Sequence, residues 1–556
     1  MMYKSREVKV GKVGVGGNNP LRIQSMTTSP TDDIESTVAQ IIQLADYGSE
    51  IARITVQGKK EAFACEHIKN RLLQLGYDIP LVADIHFYPP AALIVADFVD
   101  KVRINPGNFA DRRATFKTIE YTDALYAQEI EKIEEKFAPL ILKLKSQKKV
   151  MRIGCNHGSL SDRILNRFGD TPHGMVESAL EYARVARKYD FHDLIFSMKA
   201  SNTHVMIQAY RLLVEKMTQL GFDYPLHLGV TEAGEGEDGR VRSSIGIGSL
   251  LLDGIGDTIR VSLTEDPWLE IDPCKRIRQV AGHNAINSVV KGDEKLRRKV
   301  DNNPILHRDS TVALMGELGK ADLHLTSQPI SLKEFQMQKL FGKQRSSFVA
   351  LEDDQFDQFD ADLLFVSPKQ NFVQTSRKIF ARLDELKIKT PAILNYNNSN
   401  LDWDDFVIES SMLCGSLLCD GLGDGLLLQG PFSPDALSDL SFNILQGSRR
   451  RSVKTEFISC PSCGRTLFNL QEVAARIREK TSHLPGVKIA IMGCIVNGPG
   501  EMADAHFGYV GSKPGKIDLY VGKKCVERNI DFKDADDKLI DLIKAHGMWV
   551  DNLVLV

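Results

Sequence analysis

Three cysteines near the C-terminal end of the chain, Cys460, Cys463 and Cys494, have the types and spacing of metal or redox ligands. The first two stand in Cys460-Pro-Ser-Cys463-Gly, the third in Cys494-Ile-Val-Asn497-Gly-Pro-Gly-Glu501, where a Gly-Pro-Gly turn precedes a carboxylate. A structural zinc site usually closes with four Cys or His ligands, commonly as two paired knuckles, and here the second knuckle is missing. A thioredoxin-like redox pair would use Cys460 and Cys463 alone and leave Cys494 unexplained. An iron–sulfur cluster takes thiolates, and three of them leave one iron open for Glu501, for Cys525 or for solvent. A carboxylate matches such an iron less well than a thiolate and is easier to displace. The ligand rules therefore favour a cluster over zinc. Asn497 and the amides around Gly498 and Gly500 can donate to cluster sulfurs, or simply make the turn.

A second set of reactive side chains lies upstream, in short β-rich runs separated by amphipathic helical stretches. Polar residues recur in these runs at spacing two: Arg53/Thr55, Asp84/His86, Arg103/Asn105, Ser197/Lys199/Ser201, His227/Gly229/Thr231 and Arg260/Ser262. Spacing two along a strand is one face of a sheet. A single arginine in such a run can face outward and pair with a helix carboxylate. Arg53, Arg103, Arg152, Lys199 and Arg260 together point to a shared face, and buried unpaired cations cost several kcal/mol each. Such a ring implies a polyanionic ligand, and the arginine fork suits phosphate oxygens. Glycine-supported turns at Asn105-Pro-Gly-Asn108 and Gly154-Cys-Asn156-His-Gly-Ser159 offer backbone N–H groups to the same anion. Glu232, in Thr231-Glu-Ala-Gly, reads either as an acid/base beside it or as a helix N-terminal carboxylate. Cys65 and Cys155 read as packing residues.

The elements that must hold these groups follow from the runs themselves. Eight strand candidates occur between Leu21 and Ser262, in the βα alternation and within the length of a TIM-type (β/α)8 barrel. The charged stretch from Tyr121 to Lys148 reads as an enlarged crossover helix. Gly11-Lys-Val-Gly-Val-Gly-Gly fits a dinucleotide fingerprint poorly, because no strand is expected before it. Further βα-like runs occupy residues 286–450. Gly248-Ser-Leu-Leu-Leu-Asp-Gly-Ile-Gly-Asp257 is echoed there by Gly415-Ser-Leu-Leu-Cys-Asp-Gly-Leu-Gly-Asp424, with Ser243-Ser244 and Ser410-Ser411 at matching distance. The echo puts Leu427 and Gln429 where the first copy has Arg260 and Ser262. The expected organisation is α/β throughout: a TIM barrel for substrate (1–285), an inserted degenerate barrel-like spacer (286–450) and a C-terminal α/β iron–sulfur domain (451–556). The basic run Ser448-Arg-Arg-Arg-Ser-Val-Lys454 reads as the linker.

Composition narrows the classes. The chain has 556 residues, 26% of them charged, and a formal net charge of -3, which gives no reason to expect nucleic acid or an anionic membrane surface as partner. No apolar run is long enough to span a bilayer, and the first residues carry no signal core. Nine scattered cysteines argue against a secreted disulfide scaffold. A cytoplasmic protein is expected. Oligomeric state is open: a homodimer is possible, and a long middle region can also let one chain's cysteines reach its own barrel.

Assembled, these segments resemble the hydroxymethylbutenyl diphosphate synthases, iron–sulfur enzymes of the methylerythritol phosphate route to isoprenoids. The matching segments include Ala52-Arg-Ile-Thr-Val, Asp84-Ile-His86, Val102-Arg-Ile-Asn-Pro-Gly-Asn and Arg152-Ile-Gly-Cys-Asn-His-Gly-Ser. Gly229-Val-Thr-Glu-Ala-Gly, Gly256-Asp-Thr-Ile-Arg-Val-Ser, Cys460-Pro-Ser-Cys-Gly-Arg and Gly493-Cys-Ile-Val-Asn-Gly-Pro-Gly-Glu complete the set. The middle region is similar to the insertion of the family's three-domain branch. The resemblance implies reductive ring opening of 2-C-methylerythritol 2,4-cyclodiphosphate to 4-hydroxy-3-methylbut-2-enyl diphosphate with loss of water. It implies a 4Fe-4S cluster on Cys460, Cys463 and Cys494, with Glu501 as fourth ligand and a ferredoxin or flavodoxin as electron donor. By the same resemblance Arg53, Arg103, Arg152, Lys199 and Arg260 hold the diphosphate with Asn156 and Ser262. Asp84, His86, Asn105 and Glu232 fall in matching segments, whereas Arg22 is not carried over. The rivals are a non-redox barrel enzyme on a phosphorylated metabolite with a structural zinc, and an electron-transfer protein whose barrel is scaffold.

Overall fold

β-Branched runs followed by helices become parallel strands when each helix packs back on the sheet. The computed structural model describes residues 3–85, 88–111, 121–283, 297–340, 348–495, 498–502 and 504–551. It opens with a hairpin of β1 (Val8–Val10) and β2 (Val13–Val15). The barrel strands follow: β3 (Arg22–Met26), β4 (Ile51–Val56), β5 (Leu81–Ile85), β6 (Lys101–Ile104), β7 (Val150–Asn156), β8 (Leu194–Lys199), β9 (His227–Leu228) and β10 (Thr258–Ile259). They pair in the order β8-β7-β6-β5-β4-β3-β10-β9, and a bridge between Phe196 and Leu226 joins the two ends. The expected eight-stranded barrel is present. The hairpin plugs its floor: Val8, Val10 and Val15 pack on Ile51, Val82, Val150 and Ile195, at or near the first residues of their strands. A strand does therefore precede the Gly11 turn, contrary to expectation, but as a hairpin arm rather than the start of a βα unit. The long crossover helix runs Asp123–Ser146 and buries only Ile133, Phe137, Leu140, Ile141 and Leu144.

The middle region forms a second all-parallel sheet of seven strands: β11 (Thr311–Met315), β12 (Leu323–Leu325), β13 (Ile330–Ser331), β14 (Phe348–Leu351), β15 (Leu363–Val366), β16 (Ala392–Asn397) and β17 (Gly425–Gln429). One face of it is an apolar cluster of Ala313, Leu325, Leu363, Phe365, Ile393 and Leu427. The echoed segments begin in the last turns of helices Gly236–Leu252 and Trp403–Cys419, which pack on each other at the repeated glycines. A Cβ on Gly248 would stand 2.5 Å from Met412, and one on Gly415 would stand 2.4 Å from Ile245. The contact is reciprocal, because Ile245 and Met412 occupy the same repeat position. The ion pairs are reciprocal too: Arg211 and Arg377 each bridge Asp253 and Asp420, at 2.7–2.8 Å. The two copies thus meet about a local two-fold axis, as identical subunits would.

The C-terminal sheet has the order β18 (Glu456–Ser459), β19 (Lys488–Met492), β20 (Phe507–Lys513), β21 (Lys516–Val521) and β22 (Lys524–Asp531). The first three strands are parallel and the last two antiparallel. The basic run before β18 ties the three sheets together. Arg449 pairs with Glu456 at 2.8 Å, Arg451 with Asp322 at 2.6 Å and Lys454 with Asp238 at 2.8 Å, while Arg450 donates to the Gly423 carbonyl.

Candidate active site at the barrel mouth

β18 and β19 are parallel neighbours, so the loops leaving their C-terminal ends emerge side by side. One carries Cys460 and Cys463 and the other carries Cys494. Thr466 shapes the first loop: its hydroxyl receives the Cys463 N–H at 3.1 Å, and Ser462 takes up φ +66° beside it. The Leu467 N–H on the Gly493 carbonyl joins the two loops at 3.0 Å. The Gly493 N–H points at Cys460 Sγ, 3.3 Å away.

These loops lie on the barrel of their own chain. Ala233 bridges to Ser459, and Thr264 Oγ1 meets Ser459 Oγ at 2.8 Å. Arg242 donates to the Phe457 carbonyl at 2.8 Å, and Lys523 pairs with Asp170 at 2.7 Å. Backbone meets backbone at Gly158, where a Cβ would stand 1.9 Å from the Gly500 carbonyl oxygen. That position also has φ +78°, so glycine is required there twice over.

Between the two parts is a cavity lined from the barrel by Arg53, Asp84, Arg103, Arg152, Asn156, Lys199, Glu232, Arg260 and Ser262, and from above by Cys460, Cys463, Arg465, Cys494 and Glu501. Nearly all the expected residues therefore converge. Two do not. Asn105 is buried as the N-cap of helix Pro106–Phe109, accepting the Gly107 N–H at 3.1 Å, and does not border the cavity. The Asn-Pro-Gly signal behind that expectation is a capping signal. His86 and Asn497 lie outside the described residues. Cys525, the other candidate for a fourth donor, stands on β22 with Sγ toward the Glu527 carbonyl, away from the cavity. Ser197 and Thr231, from the spacing-two runs, border the cavity as well, as do Arg465 and Met26, whose signal in the sequence was only adjacency to singled-out residues.

The sequence makes room for the cations by withholding side chains. A Cβ on Gly154 would stand 2.6 Å from Arg103 Nε, and one on Gly229 would stand 2.7 Å from Lys199 Nζ. Asp84 receives Arg103 Nη1 at 2.9 Å and has Arg53 Nε at 4.0 Å. Arg53 otherwise rests on the Met26 thioether, at 2.8 and 3.0 Å. Arg260 is paired with Glu270 at 2.9 Å, which pushes its guanidinium up against the opposing effect of burial. Arg152 is 1% exposed, and its Nε and Nη1 have no hydrogen-bond partner among the described residues. Burial, followed by the other arginines, pulls Arg152 and Lys199 well below their ordinary values, and Arg53 down to about 10. Six cations border the cavity against three carboxylates, Asp84, Glu232 and Glu501. A dianionic or more highly charged ligand would relieve that repulsion.

The two glutamates come from opposite sides. Glu501 accepts a short hydrogen bond from Asn156 Nδ2, while Asn156 Oδ1 accepts from Arg103 Nη2 at 3.2 Å. Glu232 is buried, with φ +53°, and precedes the helix that begins at Gly236 by a whole loop, so it is not a first-turn carboxylate. Burial, and then Glu501, push its carboxyl well above the usual range. None of Cys460, Cys463 and Cys494 is in a disulfide. Among the described residues no three Cys, His, Asp or Glu side chains converge on one ion-sized point; the three sulfurs and Glu501 instead border a shared volume. Three thiols and a carboxylate on one volume are a donor set that an iron–sulfur group can use.

Residues 5–275 match the family profile described as the GcpE TIM-barrel domain, and residues 456–545 match the GcpE protein C-terminal domain. The chain is 53% identical, over 98% of its length and 96% of the relative's, to the 4-hydroxy-3-methylbut-2-en-1-yl diphosphate synthase (flavodoxin) of Protochlamydia amoebophila. It is 48% identical to the chloroplastic ferredoxin-type synthase of Arabidopsis thaliana, covering 99% of this chain and 88% of that one. With the flavodoxin-type synthase of Leptospira interrogans the identity is 42%, covering 99% and 97%. The chain belongs to the 4-hydroxy-3-methylbut-2-en-1-yl diphosphate synthase family. The family expected from the cysteine and strand-end segments is met, and the oxidoreductase reading stands in place of the non-redox zinc barrel. None of the described helices is long and apolar enough to cross a membrane.

Proposed function

We propose that the cavity at the barrel mouth binds 2-C-methylerythritol 2,4-cyclodiphosphate and opens its ring to 4-hydroxy-3-methylbut-2-enyl diphosphate, the conversion for which the family is named. The observation that carries this reading is the shared border: a surplus of buried cations and the three cysteines with Glu501 face one volume. Arg53, Arg103, Arg152, Lys199 and Arg260 would hold the diphosphate, with Asn156 and Ser262 as neutral donors. As the ring C–O bond breaks, negative charge passes to the diphosphate, and preformed cations stabilise it without reorganising. Asp84 orients Arg103 and sits near Arg53. Glu232, kept protonated by burial and by Glu501, is placed to give its proton to the departing hydroxyl, which leaves as water. A 4Fe-4S cluster held by Cys460, Cys463, Cys494 and Glu501 would pass on the two electrons one at a time, each drawn from an external carrier. Asn156, bound to both Glu501 and Arg103, ties that ligand to the anion site.

The relatives are named for flavodoxin or ferredoxin, and a carrier of that class is the donor we infer for this chain. Both halves of the site come from one chain, so a homodimer is not needed to complete it. The domain roles follow: substrate barrel (1–285), spacer (286–450) and cluster domain (451–556). Anaerobically purified protein should be brown, carry iron and sulfide, and turn over the cyclic diphosphate with a strong reductant. A colourless, zinc-loaded protein that retained the activity would defeat this reading.

A further inference from the structure

Five of the six cations around the cavity stand on or next to barrel strands; Arg465 comes from the other side, two residues beyond Cys463. It is 9% exposed. Its Nε–H points at Cys463 Sγ, 3.3 Å away, and its Nη2 lies 3.8 Å from Asp84 Oδ2 on the barrel. Its Nη1 is buried and has no hydrogen-bond partner among the described residues. Gly464 lets the loop enter this far: a Cβ there would stand 2.6 Å from the Ser29 carbonyl oxygen and 2.8 Å from Thr55 Oγ1. One edge of the guanidinium is thus committed to the cysteine loop and one to the barrel. The third group is a buried donor left unmet among the described residues, which is destabilising unless a ligand supplies the acceptor. Among the described residues the carboxylate that pairs with Arg465 is Asp84, on the barrel side of the cavity rather than in the C-terminal sheet.

We propose that Arg465 is a further substrate-binding residue, which the C-terminal domain delivers onto the anion from above while Asp84 aligns it with the barrel cations. The inference rests on reading the cavity as a diphosphate site. It adds a consequence for the architecture: the anion is gripped from both domains. Arg465 offers a planar fork to phosphate oxygens in a site where a lysine would give only a point charge.

The test is titration of oxidised holoenzyme with inorganic diphosphate, which binds without turnover, in wild type, Arg465→Gln and Arg465→Lys. Arg465→Gln should bind at least about tenfold more weakly and Arg465→Lys by a smaller factor, with iron and sulfide content unchanged. KM for the cyclic diphosphate should rise by more than kcat falls in both. Wild-type affinity in Arg465→Gln would overturn the proposal. So would loss of the cluster from Arg465→Gln, since the guanidinium would then serve the cysteine loop rather than the anion. Failure of the wild-type protein itself to bind diphosphate would instead overturn the reading of the cavity, and this proposal with it.

Discussion

The chain holds the same βα unit twice, and the two copies differ most where they face inward. In the barrel, the inner positions toward the C-terminal strand ends carry Arg53, Arg103, Arg152, Lys199 and Arg260. In the second sheet the corresponding face is Ala313, Leu363, Phe365, Ile393 and Leu427, and the polar groups beyond it are neutral amides, Gln328, Asn395 and Gln429, bonded to one another. Yet the outer faces match closely enough for the two to pack reciprocally through Gly248 and Gly415, and through the arginines that bridge Asp253 and Asp420. The copy keeps the docking residues and carries an apolar core where the barrel carries the cations proposed to bind substrate. A lumen of buried cations is unstable by itself and is retained where a ligand compensates it. Where no ligand binds, hydrophobic packing is the more stable filling.

Exchanging residues across the repeat tests this contrast. The largest effect is expected from Arg260→Leu, which gives the barrel the copy's residue. It should lower kcat/KM by several orders of magnitude and strand Glu270 as a buried unpaired carboxylate, at about 3–5 kcal/mol of stability. Steady-state kinetics and denaturant unfolding check both, and near-normal turnover would show that the copies do not differ in chemistry. The reverse change, Leu427→Arg, places an unpaired cation in an apolar face. It should destabilise the protein by several kcal/mol without creating a diphosphate site, as calorimetry would show.

A smaller effect sharpens the same point through protons. Arg152 and Lys199 are held below their ordinary values by burial and by each other's neighbours. For a lysine whose folded value is lowered, the unfolded chain binds more protons, so Lys199 costs stability at neutral pH and the cost fades as pH rises toward the ordinary lysine value. An anion reverses the shift, so diphosphate binding should take up more protons in wild type than in Lys199→Met. The wild-type advantage in affinity should shrink as pH rises. Calorimetry in buffers of different ionisation enthalpy reads the difference directly.

Much of this was legible in the chain, for identifiable reasons. Period-two placement exposed Arg53, Arg103, Arg152, Lys199 and Arg260 as one face, because a strand alternates rigidly. The cysteines were visible through their spacing, and the repeat through its glycines. Asn105 misled because a cap before Pro-Gly looks the same as an anion loop until its hydrogen bond is seen. The N-terminal hairpin was missed because three-residue strands carry little periodicity. The partnership of Asn156 with Glu501, and of Arg465 with Asp84, depends on how two separately folded parts meet, and no local pattern encodes that.

The central claim is that one chain's cysteine loops close over its own barrel. Complementation tests it most directly: a barrel-dead chain, Arg152→Gln, co-expressed with a cysteine-dead chain, Cys494→Ser, and purified through tags on both. The account predicts activity no higher than that of either variant alone, because every site in the mixture carries one lesion. Recovery of about a quarter or more of the wild-type rate would mean that loops and barrels are exchanged between chains, and would contradict it.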